Sequence, residues 1–381
     1  MSAIDTIWEG ISNALLMAWT VWWALVLGFA ISAVVQAWVP RERIQRALGG
    51  AGPRPVGLAT ALGAASSSCS YAAIAIARTL FARGASAASA LAFQFASTNL
   101  VFELGIVIWV LLGWQFTVAE LLGGIVLIAI MTAMLRLFVS RRLEAQARVH
   151  AQRLEAESHG SHQHDGGGAH HHSAAGPPGL RERLTSVAAW SQVAGNFRAD
   201  WAMLYKEIIA GFFLSGFVAL LGDDFFDALF LRHAPGAVRL LENVIVGPLI
   251  AVLSFVCSVG NIPLAAVLWS GGIGFAGVIA FVFADLLIIP IVLAYRKYYG
   301  TRFTVRIVAL MFVTIVLAAL AITGLFAATG LIPQARPTRG AIFEPVGLDY
   351  RLFTNVLGLA IFAALFALRP RTAPEPQAST P

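Results

Sequence analysis

Ser66-Ser67-Ser68-Cys69-Ser70-Tyr71 interrupts an apolar segment, residues 57–80, with a run of small hydroxyl and thiol side chains. A second such stretch, Ser254-Phe255-Val256-Cys257-Ser258-Val259-Gly260-Asn261, lies inside the apolar segment 244–269. The chain has only two cysteines, Cys69 and Cys257, and each sits within one copy. The offset between them, 188 residues, aligns the two halves without a gap. Gly28-Phe29 falls on Gly216-Phe217, Gly84 on Gly272, and Ala92, Phe93, Phe95 and Ala96 on Ala280, Phe281, Phe283 and Ala284. Gapless agreement that includes both cysteines marks an internal duplication.

Working outward, 58% of the 381 residues are hydrophobic and only 12% charged, with a mean hydropathy of +0.77. Soluble domains are far more polar, so the chain reads as an integral membrane protein whose first partner is the lipid bilayer. Apolar runs of the length that crosses a hydrocarbon core as a helix recur at residues 14–39, 85–112, 119–139, 203–221, 272–294, 307–328 and 352–368. Seven spans are expected besides the two motif segments. Residues 1–13 carry no basic n-region and no small-residue cleavage site, so the first span is expected to direct insertion. Two cysteines in apolar surroundings make no disulfide framework and no zinc motif. The pI near 9.8 follows from basic loops, as membrane topology requires, and implies no nucleic acid. Nucleotide-binding and metalloprotease motifs are absent from the sequence, so no enzyme activity is indicated.

Whether the halves are parallel or inverted depends on whether the motif segments cross. With the basic loop 140–200 in the cytoplasm, crossing segments divide the 26 Lys and Arg almost evenly between the two sides. Segments that turn back leave only Arg232, Arg239, Arg336, Arg339 and Arg351 outside, the strong cytoplasmic excess that membrane insertion favours. The expected fold is therefore an all-α polytopic membrane protein of two inverted repeats, each with a re-entrant or broken motif helix, plus one extra C-terminal helix. Its parts are a first repeat at 14–139, a cytoplasmic His-rich disordered loop at 140–202, a second repeat at 203–328 and the extra helix at 351–369. In this reading the N-terminus lies outside the inner membrane, and the His-rich loop and C-terminus lie in the cytoplasm. Broken backbone at membrane depth must be buried or line a wet cavity, and inverted repeats with broken helices place the substrate site of secondary transporters at the breaks.

The motif segments, each followed by a glycine and an Ala/Phe-rich helix (residues 91–99 and 278–285), resemble the ArsP-type permease family, predicted permeases that include organoarsenical efflux proteins. The resemblance covers nearly the whole chain, and its most specific part is the Cys-Ser element. Family members often carry Cys-Ser-Cys in the first motif; here Tyr71 stands at the second cysteine, and Asn261-Ile262-Pro263-Leu264 resembles the family's Ile-Pro-Leu element. The resemblance implies efflux of a small soft metal, metalloid or organometalloid species by alternating access. Two thiolates for such a species come only from combining both repeats.

On that reading Cys69 and Cys257 are soft ligands, although free cysteine is more often a small buried hydrophobe. Ser68, Ser70, Ser258 and Asn261 shape the site. Asp285 and Glu103, acids inside apolar helices, are candidates for coupling, since buried membrane acids usually face a cavity and often carry protons or cations; a neutral acid bonded to a neighbouring helix is the alternative. His159, His162, His164, His170, His171 and His172 form a tract that can hold a transition metal, or simply a polar linker. No other cofactor is implied. Trp8, Trp19, Trp22, Trp23 and Trp38 fit interfacial belts. Two other functions stay open: a membrane thiol oxidoreductase using Cys69 and Cys257, and a transporter of an anion or other small solute.

Overall fold

The structure is a computed structural model and describes residues 3–38, 52–66, 70–161, 187–231, 234–254, 258–337 and 350–368. Helices account for its regular structure: α1 (Ala3–Trp38), α2 (Pro53–Ser66), α3 (Ser70–Ala82), α4 (Ala87–Asn99), α5 (Phe102–Leu112), α6 (Trp114–Phe138) and α7 (Arg141–Ser161). The second half repeats the series as α8 (Val187–Val218), a short α9 (Asp223–Leu229), α10 (Gly236–Ser254), α11 (Ser258–Gly271), α12 (Phe275–Phe283) with a 3-10 turn (Ala284–Leu287), α13 (Ile289–Tyr299) and α14 (Thr301–Ala328). A final helix, α15 (Tyr350–Ala367), follows. The 188-residue offset carries α3 onto α11, α4 onto α12 with its 3-10 turn, α5 onto α13 and α6 onto α14 within a residue or two at each end.

Among the described residues four helical segments are long and apolar enough to cross a membrane, Ile4–Ile31, Trp114–Phe138, Gly236–Ser254 and Thr301–Ala328. Two bent pairs, α4 with α5 at 45° and α12 plus its turn with α13 at 42°, raise the number to six. The expected spans at 203–221 and 352–368 contain shorter apolar helices, Ile208–Val218 and Arg351–Ala367; in the first, Lys206 and Glu207 interrupt the apolar run. The 19 residues of α10 reach about 28 Å, whereas the 14 residues of α2 reach only about 21 Å. The second motif segment thus begins with a helix of spanning length.

Helix directions follow from who touches whom. Along α1, Gly10 lies against Phe217 and Ala14 against Gly216, Phe29 packs on Trp201 with centroids 5.2 Å apart, and the Ala33 carbonyl accepts from Asn196 Nδ2. Numbers rise on α1 as they fall on α8, so these two equivalent helices run antiparallel. The same holds for α6 and α14, where Gly123 meets Ile322 and Met131 Sδ accepts from Thr314 Oγ1 at 3.6 Å. By contrast α10 and α12 run parallel, Asn243 lying beside Gly274 and Gly247 beside Gly277 and Phe281.

The turn from α3 to α4 is repeated in the second half. Gly84 at φ +107° and Gly272 at φ +112° each close a helix in the left-handed conformation that glycine adopts without strain. Gly84 N–H donates to Phe81 O and Ala85 N–H to Leu80 O; Gly272 N–H donates to Trp269 O and Ile273 N–H to Leu268 O, all at 3.0–3.2 Å. Both turns fold a half-length helix back along the next one.

Residues 141–161, read from the sequence as part of the polar loop, form a helix separate from α6, because the chain turns extended at Val139. This polar helix, α7, caps the α3–α4 turn. Arg148 Nη2 donates to Ala85 O at 2.9 Å, Gln152 Nε2 to Ala82 O at 2.9 Å, and Glu144 Oε1 accepts from Ala87 N–H at 3.0 Å. A cation thus meets one helix C-terminus and an anion the next N-terminus, each the favourable sign for the peptide dipoles. His150 pairs with Lys297 O at 3.0 Å, so the end of α13 lies at the same end of the bundle. The opposite end holds a cleft of about 390 Å³ lined by Arg239, Asn243, Trp269, Gln334 and Arg336 among others.

Trp22, expected in an interfacial belt, sits instead in an aromatic cluster with Trp201 and Phe362 at 5.4–5.5 Å. The cluster joins α15 to α1 and α8. Asn355, fully buried, donates to Trp19 O and accepts from Trp23 N–H, a polar clasp of the sort that substitutes for hydrophobic drive between membrane helices.

Candidate functional site

The two motif segments meet at their serines. Ser70 and Ser258, first residues of α3 and α11 and equivalent under the 188-residue offset, lie with hydroxyls 3.2 Å apart. Both bond to one carboxylate oxygen: Asp285 Oδ2 accepts from Ser258 at 2.5 Å and from Ser70 at 3.4 Å. Asp285 stands in the 3-10 turn where α12 gives way to α13, and it is fully buried. The side chains of Thr98 and Asn99, at the end of α4, lie close to the same group. The first described residues of α3 and α11 and the breaks after α4 and α12 therefore converge on one acid.

Ser66 Oγ donates to Gly63 O at 2.9 Å and its equivalent Ser254 Oγ to Ala251 O at 2.8 Å, matching bonds at the last described residues of α2 and α10. Ser254 further donates to Asn261 Oδ1 at 3.2 Å, linking α10 to α11. Ser68, Cys69 and Cys257 lie outside the described residues, as do His162, His164, His170, His171 and His172; His159 falls in the last turns of α7. Among the described residues no three His, Cys, Asp or Glu side chains form a metal cluster.

Of the sequence candidates, then, Ser70, Ser258 and Asp285 come together. Asn261 is buried one turn into α11 and takes its partner from Ser254. Glu103 sits in the first turn of α5 against Gly28 of α1, where the two helices approach so closely that a Cβ on Gly28 would collide with it.

Three residues escaped the sequence reading. Glu120 of α6 is 1% exposed, lies within electrostatic reach of Asp285, and neither of its carboxylate oxygens has a partner among the described residues. Gln94 Nε2 donates to the Tyr295 hydroxyl at 2.7 Å, joining α4 to α13 below the acid. Glu120 was legible as an acid at the edge of an apolar run, but that edge reads as a membrane interface; helical packing draws it inward.

A multi-pass helical membrane protein with broken helices gathered on a buried polar centre is the class that fold and site define. The chain belongs to the ArsP-type family of predicted permeases, whose model matches residues 10–324. It is also similar to "Putative permease Rv2963" of Mycobacterium tuberculosis, 43% identical over 328 residues that cover 86% of this chain and 79% of the relative. No solved structure matches it.

Proposed function

We propose that this permease exports a small soft metal or metalloid species, of the organoarsenical kind, by alternating access about the Asp285 centre. The observation that carries the reading is the Ser70–Ser258 contact on Asp285. It joins equivalent residues of the two repeats at the one buried acid that, among the described residues, both motifs reach. Cys69 and Cys257 each precede one of these serines by a single peptide unit, about 3.8 Å of chain. A thiolate from each repeat would give a soft cation two ligands of the type it prefers, while Asp285 couples the step.

An inverted relation of the halves is supported by the antiparallel packing of both equivalent pairs, α1 with α8 and α6 with α14. Re-entrant motif segments are supported by α10 running parallel to α12 while α11 folds back along it. In this arrangement α7, the His-rich tract and the C-terminus face the cytoplasm, and the Trp269–Arg336 cleft faces outward. Transition-metal binding by His159 to His172 is an accessory on this account; deleting the tract leaves transport in place.

The test is accumulation of methylarsenite, copper, zinc and nickel in a sensitive host expressing the wild type, Cys69→Ser, Cys257→Ser or the deletion of 159–172. Lowered accumulation of one species, lost on either cysteine change and kept on the deletion, is the expected result. Cysteine variants indistinguishable from wild type would overturn the soft-ligand reading.

A further inference from the structure

Around Asp285 several buried acceptors are left without donors, while of the site's amides Asn261 keeps an unpartnered Nδ2 one turn into α11. Asp285 Oδ2 holds the two serines, yet Oδ1 has no partner among the described residues. Asn99 gives its Nδ2 to Phe95 O and Thr98 Oγ1, leaving Oδ1 unpartnered. Both oxygens of Glu120 are likewise unpartnered. All three side chains are essentially inaccessible. Glu120 stands one turn before Gly123 and Gly124, which lie against Phe283 and against Leu100 and the Asn99 carbonyl. Residues three and four apart share a helix face, so Glu120 looks toward the break that carries Asn99 and toward Asp285.

Charge points the same way. Among the described residues no lysine, arginine or histidine is buried, whereas Glu103, Glu120 and Asp285 are. The hydroxyls of Ser70 and Ser258 donate to Oδ2 and stabilise one carboxylate charge there. On the other side α4 ends at Asn99, and a helix C-terminus adds negative potential. Glu103 has interactions of its own, so within the Asp285–Glu120 pair one negative charge is left without a counter-charge. Oxygen ligands select hard cations and not the soft species that thiolates hold, and a surplus of one charge selects a monovalent one.

We propose that Glu120, Asp285 and Asn99 form a sodium-ion site through Glu120 Oε1 and Oε2, Asp285 Oδ1 and Asn99 Oδ1. Its role as the coupling site rests on the permease reading; the binding itself does not. Bound sodium would hold α6 to the α4–α5 and α12–α13 breaks, and its release would free them to move.

Binding of 22Na+ to the purified full-length protein in detergent, with ionic strength held by choline chloride, tests this without any transport substrate. Expected is saturable binding displaced by unlabelled Na+ or Li+ but not by K+, and a rise of about 5 °C in the thermal midpoint at saturating Na+. Glu120→Gln should weaken binding at least tenfold. If that variant does not fold, Asn99→Ala, which leaves the carboxylates intact, serves instead with a smaller loss. Absence of saturable binding, equal displacement by K+, or variants that bind like wild type would overturn the site. Saturable binding in a protein that moves no metalloid would uphold the site and remove the substrate assignment alone.

Discussion

Ser258 and Asp285 form the shortest link in the centre, a hydroxyl on a carboxylate at 2.5 Å. Hydrogen bonds to charged groups contribute about 1.5–3 kcal/mol. Ser258→Ala is expected to cost the folded protein that amount, seen as a lower thermal midpoint, while Ser70→Ala, whose bond is long at 3.4 Å, costs less. Asp285→Asn is expected to keep the fold, because the amide can still accept from both serines, and to abolish export. At this scale the sequence was informative where polarity broke an apolar run twice. The serines, Asn261 and Asp285 all stood out that way. Glu120 did not, because nothing in a single helix tells which face of its first turns packs inward.

At the scale of elements, the half-helices are held by turns and by a helix outside the bundle. Arg148 and Glu144 clamp the α3–α4 turn with bonds to Ala85 and Ala87, and their own ion pair at 3.2 Å is partly exposed. Discounted for solvent, Arg148→Ala should cost about 1 kcal/mol, read as faster hydrogen exchange at residues 82–87. Close helix approach is less forgiving. Gly63 lies against the Phe93 carbonyl and Ala96, so Gly63→Val must push α2 from α4, with an expected loss of about 1–3 kcal/mol in thermal denaturation. The glycine turns were legible as aligned positions, 84 and 272. The docked helix α7 was not, since its charged face resembles a solvated extension, and its partners are backbone groups that leave no mark in the sequence.

For the whole molecule, one path fixes the two ends. From Gly274 the chain runs through α12, past Asp285 at the centre, and along α13 to Lys297 beside α7. Trp269 and Arg336, whose guanidinium lies 4.2 Å over the indole, therefore occupy the end away from α7. Single cysteines introduced as Arg153→Cys on α7 and Gln334→Cys by the cleft should react with an impermeant thiol reagent from opposite faces, the first only from the cytoplasm. Duplication and the excess of basic residues are what the sequence contributes to the proposed arrangement, because a repeated motif and a charge bias survive in one dimension. Helix lengths did not, since hydropathy cannot see the bends at Leu100 and Ile288 that divide two spans.

The central claim, a transport site where equivalent helix starts meet on one acid, is tested most directly by uptake of methylarsenite into everted membrane vesicles. Wild type, Asp285→Asn, Cys69→Ser and Cys257→Ser would be compared at matched expression. The account predicts concentrative uptake by the wild type alone, with each variant reduced at least tenfold. Uptake by Asp285→Asn at the wild-type rate would contradict it.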